Sequence, residues 1–144
     1  MENYRKTDTV LIDTGIIYAL ADTNDSWHDR AAGFASNHRG RYIVPSPVIP
    51  EVCYLLNNYL SQSAELAFIN SLINKELSIE HVTLHDLQRC LELMAQYSDL
   101  NIGLVDASMV TIADRLKIKV ILTTDRKHFS VIKPKHCEYF QLLP

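Results

Sequence analysis

The sequence predicts an α/β fold with a mostly parallel central sheet of four to five strands flanked by helices. Short apolar runs of strand length alternate along the chain with segments in which apolar residues recur at helical spacing. Strands separated by helices favour a parallel sheet with right-handed crossovers. The chain has 144 residues and no linker-like, repeated or low-complexity segment. Residues 1–144 are therefore expected to form one domain around one core.

The first strand ends at an acid. An apolar run at Val10–Ile12 stops at Asp13, and the residues after Gly15 follow helical spacing. Asp13 is thus expected at the carboxyl end of a strand, the edge where ligands collect in open α/β sheets. An aspartate at this position can equally cap the helix that follows. Asp13 alone leaves both roles open.

Proline positions indicate where the helix after the second strand begins. Pro47 and Pro50 are tolerated only in a first turn, because proline lacks the N–H that an interior residue donates. Glu51 lies near that start, either as an acid favoured by the helix dipole or as one directed at a site. The elements predicted between residues 26 and 82 are a helix at 27–38 with Ser26 as its N-cap, a strand at 41–45, a helix from Pro47 to Tyr59, a helix at 63–74 and a strand at 77–82 near a sheet edge.

The last third of the chain repeats the opening pattern, because the segment at 119–125 is an apolar strand that stops at Asp125. Asp106 lies at the start of a helix at 103–116 and shares a face with apolar residues. A carboxylate there is costly unless it is paired, hydrogen-bonded or bound to a metal. The other predicted elements are a capped helix from Thr83 to about Met94, a break at 97–101, a polar turn at 128–129 and an edge strand at 138–143.

Four carboxylates are expected to meet at one edge of the sheet. Asp13 and Asp125 each close an apolar strand, and Glu51 and Asp106 lie in first turns of helices that follow loops from that edge. Because like charges repel at close range, such a group requires a hard divalent cation. Mg²⁺ or Mn²⁺ suits oxygen ligands with open water positions, and either can align a phosphodiester and activate water.

Hydroxyl and basic side chains adjoin these acids. Thr14 and Thr124 either hydrogen-bond a carboxylate or an attacking water, or simply form turns. The net charge of −3 argues weakly against nucleic acid as a partner, yet the segment from Arg115 to Lys135 carries seven basic residues and one acid. That segment can follow a phosphate backbone or form an ordinary charged surface. The candidates for phosphate contact are Arg126, Lys127 and His128, the last of which can equally be a surface turn residue.

Competing site chemistries are weaker. The four glycines are too scattered for a phosphate-binding loop or a nucleophile elbow. His81 and His85 are four residues apart, but the strand-to-helix boundary between them disfavours a zinc pair. A phosphatase or receiver-like protein also gathers strand-end acids, although a phosphatase usually has D-x-D where this chain has Asp13-Thr14-Gly15. A non-catalytic protein- or RNA-binding module, with the acids as structural caps, stays open as well.

Composition places the chain among ordinary globular proteins, with 47% hydrophobic and 22% charged residues. No apolar run approaches the roughly 18 residues that a membrane span needs, and no signal-peptide core follows the N-terminus. We therefore expect a cytoplasmic protein without a membrane partner. The three cysteines are odd in number and widely spaced, so we interpret them as small hydrophobes.

Four short motifs in this order resemble the PIN-domain ribonucleases: D-T-G at 13–15, P-x-x-x-E at 47–51, L-V-D-A-S at 104–108 and T-T-D-R-K-H-F at 123–129. The resemblance covers nearly the whole chain, and its size and order are most similar to the toxin subunits of VapBC-type toxin–antitoxin pairs. It implies Mg²⁺- or Mn²⁺-dependent endonuclease activity on structured RNA, a homodimer and inhibition by a small antitoxin. Carried over by position, it implies an acidic site of Asp13, Glu51, Asp106 and Asp125, with Asp99 as an extra acid.

Overall fold

A computed structural model describes residues 3–144, and within them one parallel sheet organises the chain. The order across the sheet is β3-β2-β1-β4-β5, and each neighbouring pair is parallel. The chain winds outward from the central strand in one direction and then in the other, which creates a switch point beside that strand. The strands are β1 (Val10–Ile12), β2 (Tyr42–Pro45), β3 (Ser78–Glu80), β4 (Val120–Leu122) and β5 (Gln141–Leu143).

Helices connect the strands and cover the sheet. α1 packs on α2 and α3, α3 packs on α4, and α5 packs on α6. No helix among residues 3–144 combines the length and the apolar character that crossing a bilayer requires. The helices are α1 (Thr14–Ala21), α2 (His28–Asn37), α3 (Val48–Tyr59), α4 (Gln62–Ile73), α5 (Leu84–Gln96), α6 (Leu104–Leu116) and α7 (Arg126–Phe129), with a 3-10 turn at Ser98–Leu100.

The core lies around the two central strands. Every residue of β1 and β4 is buried, as expected for strands of a parallel sheet that is covered on both faces. α6 contributes a continuous buried run from Ala107 to Ala113. Cys90 is fully buried on α5, while Cys53 and Cys137 are half-buried, and all three are free thiols. The core therefore holds the carboxyl ends of β1 and β4 rigidly side by side.

The predicted α/β fold is confirmed, and several local predictions change. The sheet is entirely rather than mostly parallel, because β5 also runs parallel to β4. Ser26 was the wrong N-cap: α2 starts after Trp27, whose N–H is accepted by Asp25 Oδ1 at 2.8 Å. The polar turn at 128–129 is part of the short helix α7. The capping box of Thr83 and Asp86 is present as predicted.

Two helix faces that look core-facing in the sequence are exposed. Leu66, Ile69 and Ile73 of α4 are 56%, 38% and 69% exposed, and Phe68 is the residue that α4 buries. On α5, Cys90 and Leu93 face the core. The exposed residues on the other side of α5 are Leu84, Leu87 and Leu91.

Candidate active site at the carboxyl edge of the sheet

Asp13 follows β1 directly, and hydrogen bonds fix both its backbone and its side chain. Its N–H donates to Leu122 O at 2.9 Å, which continues the β1–β4 ladder by one residue. Its Oδ1 accepts the Thr14 N–H at 2.8 Å, and its Oδ2 accepts the Thr123 hydroxyl at 2.9 Å. Asp13 is also the N-cap of α1. The cap and the position at the sheet edge therefore coexist in one residue.

The environment of Asp13 disfavours its charge. Burial raises its pKa most strongly, the hydrogen bonds from Thr14 and Thr123 lower it, and the charges of Asp106 and Glu51 raise it further. The outcome is a pKa of about 6, against an ordinary value of 3.8. A buried carboxyl group that is costly to ionise and lies at a ligand-binding edge is a marker of a functional site.

Asp125 lies in the loop after β4, beyond Thr123 and Thr124. Its N–H donates to Thr123 Oγ1 at 2.9 Å, and its Oδ1 accepts the His128 N–H at 3.1 Å, which caps α7. Only Oδ1 is engaged in the cap. Its Oδ2 lies 2.8 Å from His128 Nδ1.

Asp106 and Glu51 reach the edge from helix starts. Asp106 lies in the first turn of α6 and Glu51 in the first turn of α3. The residues that share the Asp106 face are fully buried, while the Asp106 side chain keeps 21% exposure. Burial raises the pKa of Asp106, as do the charges of Asp125 and Glu51, and His128 opposes this shift. Glu51 is exposed to solvent.

These acids line one open cavity of about 460 Å³. Asp99 lies elsewhere, exposed in the 3-10 turn. The predicted site residues that the structure brings together around the cavity are Asp13, Thr14, Glu51, Asp106, Thr124 and Asp125.

The threonines have three different environments. Thr123, which the sequence reasoning passed over, is the one that bonds the Asp13 carboxylate. The available signal in the sequence was position, since Thr123 directly follows the apolar run at 120–122 just as Asp13 directly follows the run at 10–12. Thr14 Oγ1 is buried without a hydrogen-bond partner. Thr124 packs over Gly15, where an added Cβ would meet Thr124 Oγ1 at 2.5 Å, so the close approach requires glycine.

The donor set fits a divalent cation. Asp106, Asp125 and His128 each offer one ligand atom, and these atoms lie within 4.8 Å of one another. Among the ion pairs of residues 3–144, none joins one of the four site acids to a lysine or arginine. Within residues 3–144 the four carboxylates therefore have no lysine or arginine partner, and the buried Thr14 hydroxyl adds an unpaired polar atom to the same cavity.

The basic residues after Asp125 are partly committed to the fold. Arg126 donates to the carbonyl of Pro144, and its guanidinium lies 5.8 Å from the Trp27 ring. The guanidinium carbon of Arg30, which was not a candidate in the sequence, lies 3.6 Å from the centre of the same ring. Lys127 is exposed. His128 points into the acidic site rather than out to solvent.

Known proteins of this architecture match the chain. A family model described as "PIN domain" matches residues 10–133. Ribonuclease VapC26 of Mycobacterium tuberculosis is 27% identical over 135 residues, which cover 94% of this chain and all of the relative. The crystal structure of M. tuberculosis VapC20, described as a sarcin-ricin loop cleaving toxin, superposes with a TM-score of 0.73 at 20% identity, covering 78% of this chain and 86% of that one. VapBC2 from Rickettsia felis, bound to a DNA fragment from its promoter, gives 0.67 at 16% identity, with 94% and 99% covered. This chain belongs to the PIN domain family.

Proposed function

We propose that the protein is a divalent-metal-dependent endoribonuclease of the cytoplasm and the toxin of a type II toxin–antitoxin pair. The observation that carries the proposal is the cavity where Asp13, Glu51, Asp106 and Asp125 meet, with no lysine or arginine of the described chain, residues 3–144, paired to any of them. The relative named as a ribonuclease supports the reaction class. Neighbouring structures from toxin–antitoxin complexes support the biological setting.

The side chains have separable roles in this mechanism. A bound Mg²⁺ or Mn²⁺ supplies charge neutralisation for a phosphodiester and a water of lowered pKa. Asp13 is oriented by Thr123 and the Thr14 amide, and Asp125 by its cap on α7, so that neither carboxylate reorganises when a ligand arrives. The unpaired Thr14 hydroxyl is available to a water or a phosphoryl oxygen.

RNA is proposed to approach over the start of α7. Lys127 is exposed there, and the guanidinium groups of Arg30 and Arg126 lie beside the Trp27 ring, so several positive charges are near one another on this face. Phosphate contacts of this kind make binding weaker at high salt. Since the whole chain carries a net charge of −3, the attraction for RNA is local to this face.

The test is cleavage of RNA by the purified chain with Mg²⁺ or Mn²⁺, and its loss in EDTA. Asp106→Asn, prepared in parallel, should lose at least 100-fold in rate, which also reports any contaminating nuclease. Asp99→Asn is the matched control, because Asp99 lies outside the cavity, and it should keep wild-type activity. Unchanged cleavage after chelation would refute the mechanism. A chain that binds no divalent metal would favour the non-catalytic binding module.

A homodimer is proposed through α5. Leu84, Leu87 and Leu91 form an apolar stripe at spacings of three and four residues, and they are 87%, 41% and 70% exposed. A two-fold interface pairs the same surface of both subunits. A convex helix stripe can pack against its own copy in this way and so hide the three leucines.

The antitoxin is proposed to bind a groove beside α4. The groove has a volume of about 530 Å³, and Leu56, Phe68 and Ile17 contribute to its apolar lining. A concave surface cannot pack against its own copy, but it accepts an apolar segment of a different chain. The neighbouring exposed residues of α4, among them Ile69 and Ile73, extend the apolar surface available to such a segment.

A further inference from the structure

His128 lies between two carboxylates of the site. Its Nδ1 is 2.8 Å from Asp125 Oδ2 and 3.3 Å from Asp106 Oδ2. This nitrogen is buried from solvent, and none of residues 3–144 meets it with the distance and angle of a hydrogen bond, so neither oxygen lies in the direction that an N–H bond requires. Close approach without a hydrogen bond leaves the polarity of Nδ1 unsatisfied, which calls for an explanation.

Packing fixes the imidazole in this position. Phe129, the last residue of α7, and Ile132, which follows α7, are 1% and 2% exposed. The His128 N–H donates to Asp125 Oδ1 at 3.1 Å, and its carbonyl accepts the Ile132 N–H at 3.2 Å. The backbone is therefore anchored on both sides, and the ring is directed at the acids by the fold.

The distances match those between ligands of one cation. Two atoms bound at about 2.1 Å to an octahedral ion and at right angles to each other lie about 3 Å apart. The separations of Nδ1 from the two carboxylate oxygens, 2.8 and 3.3 Å, bracket this value. Thr14 is an independent indication of a ligand in the same cavity, since it is 5% exposed and its hydroxyl is unpaired.

We propose that His128 Nδ1 is a direct ligand of the divalent cation, together with Oδ2 of Asp106 and of Asp125, and that this nitrogen makes the site prefer Mn²⁺ to Mg²⁺. The inference rests on the metal site of the proposed function. Mg²⁺ favours oxygen ligands, whereas imidazole suits transition-metal ions. In the alternative arrangement, the imidazole pairs with the two carboxylates and does not bind the cation. All protein ligands of the cation would then be oxygen atoms.

The decisive measurement is electron spin echo envelope modulation of the Mn²⁺-loaded protein. Modulation from a coordinated imidazole nitrogen should be present in the wild type and absent in His128→Ala. His85→Ala is the matched control, because His85 is exposed on α5 and does not belong to the group formed by Asp106, Asp125 and His128, and it should keep the signal. His128→Gln removes the imidazole nitrogen while keeping a polar side chain. This variant repeats the comparison if the alanine variant folds poorly.

Calorimetric titration supplies the second readout. His128→Ala should bind Mn²⁺ at least tenfold more weakly, while its affinity for Mg²⁺ should change less than threefold. Bound Mn²⁺ without nitrogen modulation in the wild type would overturn the inference and leave the proposed metal site standing. No binding of Mn²⁺ at all would overturn both. Nitrogen-coordinated Mn²⁺ in a chain that cleaves no RNA would support the inference and refute the nuclease function.

Discussion

Asp13→Asn is expected to stabilise the cation-free protein at neutral pH. Asp13 has a pKa of about 6 in the folded chain, against 3.8 ordinarily. A difference of about two pKa units corresponds to roughly 3 kcal/mol. Asparagine is nearly isosteric and still accepts the Thr14 N–H, but its amide nitrogen cannot accept the Thr123 hydroxyl, which costs about 1 kcal/mol. The net expectation is a gain of about 2 kcal/mol.

The pH dependence follows from the direction of the shift. The folded protein holds the Asp13 proton more tightly than the unfolded chain does, so the wild type loses stability as pH rises from about 4 to about 6. Below pH 4 the carboxyl group is protonated in both states and the cost vanishes. The advantage of Asp13→Asn should therefore open between pH 4 and pH 6 and stay constant above.

Urea unfolding in EDTA, followed by circular dichroism from pH 4 to pH 7.5, measures this difference. Asp86→Asn is the matched control with the opposite sign. Burial alone would raise the pKa of Asp86, but the hydrogen bonds from Arg115 and Thr83 outweigh it and lower the pKa. Asp86→Asn should lose about 1–3 kcal/mol at pH 7.5, and this loss should stay constant down to pH 4, because the lowered pKa of folded Asp86 places its titration below that range. An Asp13→Asn variant no more stable than the wild type at pH 7.5 in EDTA would refute the reasoning.

Three further outcomes are expected. In EDTA, Asp106→Asn should melt at the same or a higher temperature than the wild type, because it removes a like charge at constant volume. Mg²⁺ should raise the melting temperature of this variant less than that of the wild type. A lower melting temperature with an unchanged response to the metal would show that Asp106 does not belong to the site. Gly15→Ala should lower the free energy of unfolding by about 1–3 kcal/mol, since both Thr124 Oγ1 and Thr124 Cγ2 crowd the added Cβ. Urea titration measures this loss. An unchanged midpoint would show that the Thr124 side chain does not restrict position 15. Light scattering at micromolar concentration should show Leu91→Glu as a monomer and Ile73→Glu on α4 as a dimer. Ile73→Glu should lose antitoxin binding instead. The reverse pattern would mean that α4 forms the dimer interface and α5 the antitoxin interface.

The residues themselves determined the main architecture. Short apolar runs ending at Asp13 and Asp125 are buried parallel strands, and parallel strands place their carboxyl ends on one edge. Helix starts marked by Pro47 and by Gly103 bring Glu51 and Asp106 towards that edge. These features are local or follow from the handedness of crossovers, so a sequence read alone is sufficient for them.

Tertiary structure alone decided which neighbours complete the site. Thr123 rather than Thr124 bonds Asp13, because the register between β1 and β4 joins residues 110 positions apart. His128 turns inward because Phe129 is buried and Asp125 caps α7, although the sequence is equally typical of a surface turn. The apolar face of α4 is exposed because Phe68 takes the core-facing position. Register, capping and competition for the core are set by contacts between distant segments. They therefore cannot be predicted from the local periodicity of the sequence.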